Sequence, residues 1–407
     1  MVNNQLLHML MALATVVVVA RLFGYLFRLI HQPPVIGEVV GGIVLGPSIL
    51  GRLAPEAANY VLPATTAPFL ALLAQLGIIF YMFLIGLELD MKMIKKSGMP
   101  ALIISNFSIV VPFLLGCALA TQLFHQYSVP GTSFIGFALF MGVSLSVTAF
   151  PVLARILSEL KIHKSRLGGL ALICAAVGDV TVWCLLALVV SILKDTPDEA
   201  LVTVAGTLLF ITVMVFIVRP LISRSLKWFE KLDHMTESGL AIVLVAVLSS
   251  ALVTEAIGIH AMFGAFLLGA IIPHDSKITR DVNARLESLV RILFLPAFFA
   301  FTGMRTQLSL LGTAHDWWIC LVIIAVAIVG KFGGTLVAAR LTKNSWRDSA
   351  ALGFLMNTRG MVELIVLNIG LDLKVLSPTL FTMLVIMALV TTFMTSPLVR
   401  WILKIKT

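Results

Sequence analysis

The chain has 407 residues, 59% of them hydrophobic and only 12% charged, with a mean hydropathy of +1.05. A soluble protein of this length could not cover so much apolar surface, so hydrocarbon is its solvent, and the apolar runs leave no room for a separate soluble domain. The formal net charge of +9 would point to nucleic acid in a soluble protein. Here basic loops on one side of a membrane explain it, and no nucleic-acid partner is expected.

Taken in chain order, the apolar runs predict spans near 5–29, 35–50, 67–87, 99–122, 132–157, 166–193, 200–221, 238–256, 260–273, 288–311, 316–339, 347–370 and 377–403. The second and ninth are short enough to be mistaken for re-entrant segments. The expected fold class is therefore an all-α polytopic membrane protein of thirteen transmembrane helices, one transport domain over 1–407. The first run lacks a basic leader and a small-residue cleavage site, so it reads as a retained span. Lys406 and Thr407 follow the last span directly, so the expectation is no soluble regulatory domain, the alternative being that the sequence was cut before one.

The basic residues test this division. With the amino terminus outside, only Arg52, Lys194, Arg305 and Lys374 of the 29 Lys and Arg fall outside. Lys331 and Arg359 lie within spans, and all the others, including Lys92, Lys95, Lys96, Lys164, Lys231 and Lys406, fall inside. That asymmetry predicts a multi-pass protein of the cell (inner) membrane with its carboxyl terminus in the cytoplasm. Cys117, Cys174, Cys184 and Cys320 all fall in spans, match no zinc or CxxC spacing, and read as packing residues.

Features recur seven spans apart. The third span ends in Phe83-Leu84-Ile85-Gly86-Leu87 and the tenth in Ala300-Phe301-Thr302-Gly303-Met304. Gly41 and Gly46 in the second span have the same gap as Gly264 and Gly269 in the ninth. The fifth span is interrupted at Thr148-Ala149-Phe150-Pro151 and the twelfth at Asn357-Thr358-Arg359-Gly360. An odd shift reverses direction across the bilayer, so residues 1–193 and 238–404 are expected to be inverted repeats joined by a linker helix at 200–221. Pro151 removes a backbone donor and Gly360 weakens the helix. Paired interruptions in opposite halves mark the midplane substrate site of secondary transporters. The bland alternative for Pro151 is a simple kink in a packed helix.

Asp179 is the only acid well inside the sixth span. A carboxylate at mid-bilayer costs roughly 2.5–3.5 kcal/mol on insertion scales, so the default reading is an ion or proton site; the alternative is an aspartate paired off for stability. Desolvation penalises its charged form. A proton and a hard monovalent cation then compete for the same oxygens, which suffices for obligatory exchange if the protein switches sides only when loaded. Thr148 and freed carbonyls of the broken fifth span are candidate neutral ligands. Lys331 either pairs with Asp179, bonds to carbonyls of the broken helices, or snorkels to a surface. Arg359 and Glu363, four residues apart, form either a local ion pair at the break or a gate. Glu38 and Glu255 read as solvated edge residues or a funnel lining, and His260 as a capped histidine or a pH sensor. No HExxH, GxSxG, P-loop or dinucleotide fingerprint occurs, so no enzymatic activity and no cofactor are expected.

These motifs resemble the monovalent cation:proton antiporter-2 family along essentially the whole chain, especially its plant cation/proton exchanger branch and bacterial relatives. The stretches that carry the likeness are Val35-Ile36-Gly37-Glu38, Gly258-Ile259-His260-Ala261 with Phe263-Gly264-Ala265-Phe266, and Leu295-Pro296-Ala297-Phe298-Phe299. The most specific is the run Asn357-Thr358-Arg359-Gly360-Met361-Val362-Glu363-Leu364-Ile365-Val366-Leu367-Asn368-Ile369-Gly370. The resemblance implies a sodium/proton antiporter fold with two crossed discontinuous helices, a homodimer in the lipid bilayer, and elevator-like alternating access. It makes Asp179 the ion-binding aspartate, Lys331 the basic residue of the eleventh span, and Thr148 part of the unwound fifth. Transported K+ or Na+, and H+, are the only small partners implied.

The chain departs from the family at Gly178, where electrogenic members carry a second aspartate. The expectation is electroneutral exchange of one cation for one proton. Rival readings are a channel or uniporter without proton coupling and a non-transporting membrane sensor.

Overall fold

The structure, a computed structural model, describes all residues except 1, 31, 89–97, 163–164, 194–196, 230–235, 258–260, 274–275 and 405–407. The readings placed on His260 and on Lys92, Lys95, Lys96, Lys164, Lys194, Lys231 and Lys406 lie outside the described residues. Among those described there is no strand; a single bridge joins Ser128 and Leu376.

In chain order the main helices are α1 (Val2–Leu29), α2 (Pro34–Leu45), α3 (Ala67–Glu88), α4 (Gly98–Tyr127), α5 (Phe134–Ser146), α6 (Phe150–Glu159) and α7 (Arg166–Leu193), with two short helices, Leu50–Leu53 and Pro55–Val61, between α2 and α3. There follow α8 (Pro197–Val213), α9 (Arg219–Phe229), α10 (Glu237–Ile257), α11 (Met262–Ile271), α12 (Lys277–Leu289) and α13 (Leu295–Arg305). The chain ends in α14 (Ala314–Leu341), α15 (Trp346–Met356), α16 (Met361–Asp372) and α17 (Pro378–Leu403). Among the described residues ten helices are long and apolar enough to cross a membrane. Two shorter apolar helices, Phe134–Ser146 and Met262–Ile271, are α5 and α11.

Local chemistry sets the helix ends. The Thr313 side chain accepts from the Asp316 N–H while Asp316 reaches back, a capping box that starts α14. Ser133, Ser276, Ser345 and Ser377 accept in the same way at the starts of α5, α12, α15 and α17. The Ser276 cap begins its helix well ahead of the expected tenth span. Pro220 and Pro296 each follow a π-turn, at Met214–Val218 and Val290–Phe294. A widened turn makes room for the proline ring and its missing donor.

The chain divides into two compact units. One comprises Met1–Ala67, Met93–Leu186 and Phe299–Thr407; the other comprises Pro68–Lys92 and Ala187–Phe298. In the first, α4 packs on α5 and α14, α14 on α15 and α17, and α1 on α2. In the second, α10 packs on α11.

Each unit contains a lock of glycines. In the first, a Cβ on Gly37 would lie 2.3 Å from the Phe23 carbonyl of α1, and one on Gly42 2.2 Å from the Ala300 carbonyl of α13. Gly303 of α13 returns the contact, 2.2 Å from the Val39 carbonyl. In the second, a Cβ on Gly264 would lie 2.0 Å from the Ser250 carbonyl, one on Gly269 2.3 Å from that of Phe83, and one on Gly86 2.3 Å from that of Phe266. Only residues without a Cβ allow backbones to meet this closely. The partners of Gly264 and Gly269 are therefore Gly37 and Gly42. The expected match to Gly41 and Gly46 is corrected, because Gly41 meets only Val19 and Phe23 at 3.3 Å and Gly46 approaches Met304 less closely, at 3.0 Å.

Candidate functional site

All the site residues belong to the first unit. Helix α5 stops at Ser146 and α6 starts at Phe150; α15 stops at Met356 and α16 starts at Met361. The two interruptions touch. The Ala149 N–H donates to the Thr358 carbonyl at 3.0 Å, and the Thr148 hydroxyl donates to the Met356 carbonyl at 3.2 Å. Pro151 lies just after the first break, as the second residue of α6, where a missing N–H costs little. Gly360 is needed for close approach: a Cβ there would stand 2.8 Å from Val152 Cγ2 in the first turn of α6.

A helix that stops leaves its last carbonyls without intrahelical donors, and they carry the negative end of the helix dipole. At the end of α5 two buried cations take them. Arg359 Nη1 donates to the Ser144 carbonyl at 2.8 Å and Nη2 to that of Leu145 at 2.6 Å. Lys331 Nζ donates to the Ser146 carbonyl. It also donates to the Ser108 carbonyl at 2.9 Å. That carbonyl is free because Pro112, four residues on inside α4, has no N–H to offer it. Glycines at 330 and 334 bring α14 close enough for this: a Cβ on either would lie 2.9 Å from Pro112 Cα or 2.8 Å from the Phe107 carbonyl.

The end of α15 is closed by neutral groups. Thr148 serves Met356, the Thr395 hydroxyl donates to Phe354 at 3.3 Å, and the Asn357 and Thr358 N–H groups turn back onto Gly353 and Leu355. Arg359 also pairs with Glu363 at 2.9 Å, both side chains fully buried. The Arg359 N–H donates to Thr392 Oγ1 at 3.0 Å, and that hydroxyl donates to the Arg359 carbonyl.

Asp179 of α7 is 2% exposed, and among the described residues no side chain bonds to its carboxylate and no donor meets it at full hydrogen-bond geometry; the nearest backbone donor is the Phe150 N–H. The groups acting on it are the N–H of Phe150, at the positive end of α6, and the charge of Lys331. Lys331 is thus near Asp179 without forming a salt bridge to it; its bonds go to carbonyls instead. Next to Asp179, a Cβ on Gly178 would meet Ser105 Oγ at 3.7 Å and Ile109 Cδ1 at 3.9 Å, so a side chain fits there.

The structure therefore brings Thr148, Arg359, Glu363, Lys331 and Gly360 together around the breaks, with Asp179 against the start of α6. Glu38 is corrected: it is buried in α2 against Gly24 of α1, not solvated. Glu255 is exposed and accepts the Ala261 N–H at 2.9 Å, as an edge residue does. A cluster missed in the sequence joins α13 to α16: Arg305 binds Asn368 at 2.8 Å and Asp372 at 2.5 Å, and Asn368 Nδ2 donates to Thr302 at 3.0 Å. The polar residues inside the Asn357–Gly370 motif were the available signal for it.

Long apolar helices and a crossing of two interrupted ones define a multi-pass membrane protein of transporter architecture. The model of the family described as "sodium/hydrogen exchanger, transmembrane" matches residues 15–405, and the chain belongs to that family. It is 43% identical over 399 residues to the Na+/H+ antiporter NhaS4 of Synechocystis, covering 98% of this chain and 97% of that protein. It is 40% identical to cation/H+ antiporter 19 of Arabidopsis thaliana and 38% to K+/H+ antiporter 1 of Saccharomyces cerevisiae. It matches 97% and 95% of its own length to these two but only 49% and 45% of theirs, so it spans about half of each. The solved structure of the sodium proton antiporter MjNhaP1 from Methanocaldococcus jannaschii matches with a TM-score of 0.66 at 15% identity, over 98% of this chain and 99% of that one. That likeness carries the fold.

Proposed function

We propose that the protein is a secondary antiporter that exchanges a monovalent cation, K+ or Na+, for H+, with Asp179 as the shared site. The observation that carries this is a buried carboxylate with no side-chain partner among the described residues, set against the Phe150 N–H at the positive end of α6. Desolvation makes a bare carboxylate costly, so it is at rest only when a proton or a cation is on it. Either load suffices and the two exclude each other, which couples their movements. Relatives named as Na+/H+ and K+/H+ antiporters support the reading.

Each load has to reach Asp179 from alternate sides. The crossing of the breaks supports elevator-like access, because α5, α6, α15 and α16 are tied into one body by Thr148, Ala149, Arg359 and Lys331. In this reading Lys331, Arg359 and Glu363 hold the site and do not carry cargo. Exchange is one cation for one proton, since Gly178 offers no second carboxylate and Lys331 is bonded to carbonyls. The thirteen-span topology, amino terminus out and carboxyl terminus in the cytoplasm, the inner membrane, and a homodimer belong to the same proposal. The matched glycine locks support the inverted repeat.

The test uses proteoliposomes with an imposed pH gradient and an internal pH dye. K+, Na+ or Li+ added outside collapses the gradient in the wild type and not in Asp179→Asn. Competition adds a second signature: rate lost at low pH returns when cation concentration is raised. Flux indifferent to the pH gradient and carrying net current would replace antiport by a channel. Cation binding without flux would make the protein a sensor. A sustained current on solid-supported membranes that scales with transport would overturn the one-for-one stoichiometry.

A further inference from the structure

Asn357 and Thr358 stand where α15 ends, and both are 0% exposed. Among the described residues, neither Oδ1 nor Nδ2 of Asn357, nor Oγ1 of Thr358, has a hydrogen-bond partner. Their backbones do all the structural work of the break: Asn357 N–H reaches Gly353, Thr358 N–H reaches Leu355, and the Thr358 carbonyl receives Ala149. The side chains add nothing to that scheme. Buried polar atoms are almost always paired, and an unpaired one costs about 1–3 kcal/mol. Three such atoms on adjacent residues point to a ligand that offsets the cost.

Location and charge say which ligand. Residues 356–358 lie against 148–149 through the Thr148–Met356 and Ala149–Thr358 hydrogen bonds. Asp179, whose carboxylate has no side-chain partner among the described residues, lies by the N–H of the next peptide, at Phe150. The end of α5 already has Arg359 and Lys331 on its carbonyls. Among the described residues the end of α15 has only hydroxyls and its own N–H groups, with no side-chain cation on the negative end of its dipole. Half-helix ends of this kind, with unwound backbone beside them, hold cations in transporters.

We infer that the Asn357 amide oxygen and the Thr358 hydroxyl complete the oxygen shell of the transported monovalent cation around Asp179, and so set cation selectivity. The inference rests on the antiport reading of Asp179. A dehydrated cation must have its water oxygens replaced. Two carboxylate oxygens, one amide oxygen and one hydroxyl oxygen, with lone pairs of Thr148, provide that replacement from both broken helices. In the proton-loaded state the same amide oxygen accepts from the carboxylic acid, so both loads find a partner.

The experiment compares Asn357→Ala, Asn357→Asp, Thr358→Val and Thr358→Ser with the wild type in two assays. Exchange in proteoliposomes gives KM and rank order for K+, Na+ and Li+. Thermal unfolding of purified protein, with and without added salt of each cation, gives cation-dependent stabilisation, which reports binding without transport. The alanine and valine variants are expected to raise the cation KM roughly tenfold, the worth of one lost contact, to alter the rank order, and to lose cation-dependent stabilisation. Their melting temperature without cation is expected not to fall, because the truncations remove buried atoms that have no partner when the cation is absent. The aspartate and serine variants, which keep the oxygens, restore binding.

An unchanged KM and rank order in both truncated variants would overturn the inference. So would a fall in cation-free melting temperature, or failure to fold, in Asn357→Ala and Thr358→Val, since the side chains would then be structural. A wild type that binds cation but exchanges no proton would overturn the antiport reading and leave the ligand assignment to be judged by the thermal assay.

Discussion

The two helix ends that meet at the crossing are built on different plans. The end of α5 is fastened by two buried cations, Arg359 and Lys331, which between them take three successive carbonyls. The end of α15 is fastened by the hydroxyls of Thr148 and Thr395. A charge-assisted bond is about twice as strong as a neutral one, and a buried cation must have such partners to exist there at all. The first end is therefore a rigid anchor. The second is fastened by neutral hydrogen bonds alone among the described residues.

Breaking the anchor has the largest expected effect. Arg359→Ala strands Glu363 in the interior and frees the Ser144 and Leu145 carbonyls, and breaking a buried pair costs about 3–5 kcal/mol. Glu363→Gln keeps a hydrogen-bond acceptor for the guanidinium and is expected to cost less. Chemical unfolding of the purified proteins would rank them. If Arg359→Ala were no less stable than Thr395→Val, the two ends would be fastened equally and the contrast would be lost.

Lys331→Met comes next. It leaves the carbonyls of Ser108 and Ser146 unpaired, at about 1–3 kcal/mol each if they stay buried. Lys331→Arg keeps a donor and a charge and recovers most of the stability. The contrast also bears on stoichiometry: because the lysine is tied to carbonyls, Lys331→Gln is expected to retain one-for-one exchange without current at a reduced rate. Sustained current in that variant would mean that the wild-type lysine carries a proton.

The glycine locks give a middle-sized effect and compare the two units. Gly42→Ala and Gly269→Ala each drive a methyl against a carbonyl, of Ala300 and Phe83, and are expected to cost about 1–3 kcal/mol or more by overpacking. Gly41→Ala, whose methyl would stand 3.3 Å from Phe23 Cβ, Val19 Cγ1 and the Val19 carbonyl, is far milder. Similar losses at 42 and 269 and little at 41 would bear out the corrected register in thermal unfolding. Equal sensitivity at 41 and 42 would restore the ambiguity.

That register shows where the sequence runs out. Spans were legible because twenty apolar residues leave few alternatives, and the breaks because Pro151 and the Asn357–Gly360 run punctuate apolar helices. Gly37–Gly42 and Gly41–Gly46 have the same gap, so spacing alone could not choose between them; backbone contact does. Asp179 was conspicuous as an acid in hydrocarbon. For Lys331 a carbonyl of the broken fifth span was among the expected partners, and Ser146 is that one; the Ser108 carbonyl was not, because it is freed only by Pro112 on a helix distant in sequence, where a missing donor leaves no mark on the hydropathy profile. Pro397 in α17 repeats the device: the Phe393 carbonyl it frees accepts from Gln32 at 3.3 Å.

The smallest expected effect tests the neutral end itself. Thr148→Val removes the hydroxyl from the Met356 carbonyl at nearly constant volume, for about 0.5–1.5 kcal/mol. Thr148→Ser keeps the bond and is expected to be near neutral. Stability alone would move too little to be informative, so transport is the better readout. A hydroxyl that only fastens α15 changes the rate without changing which cation is preferred, while one that also turns its lone pairs to the cargo shifts the cation KM in the valine variant and not in the serine. A valine variant indistinguishable from wild type in both would mean that the Ala149–Thr358 bond holds the crossing by itself, and that the weaker end is weaker still.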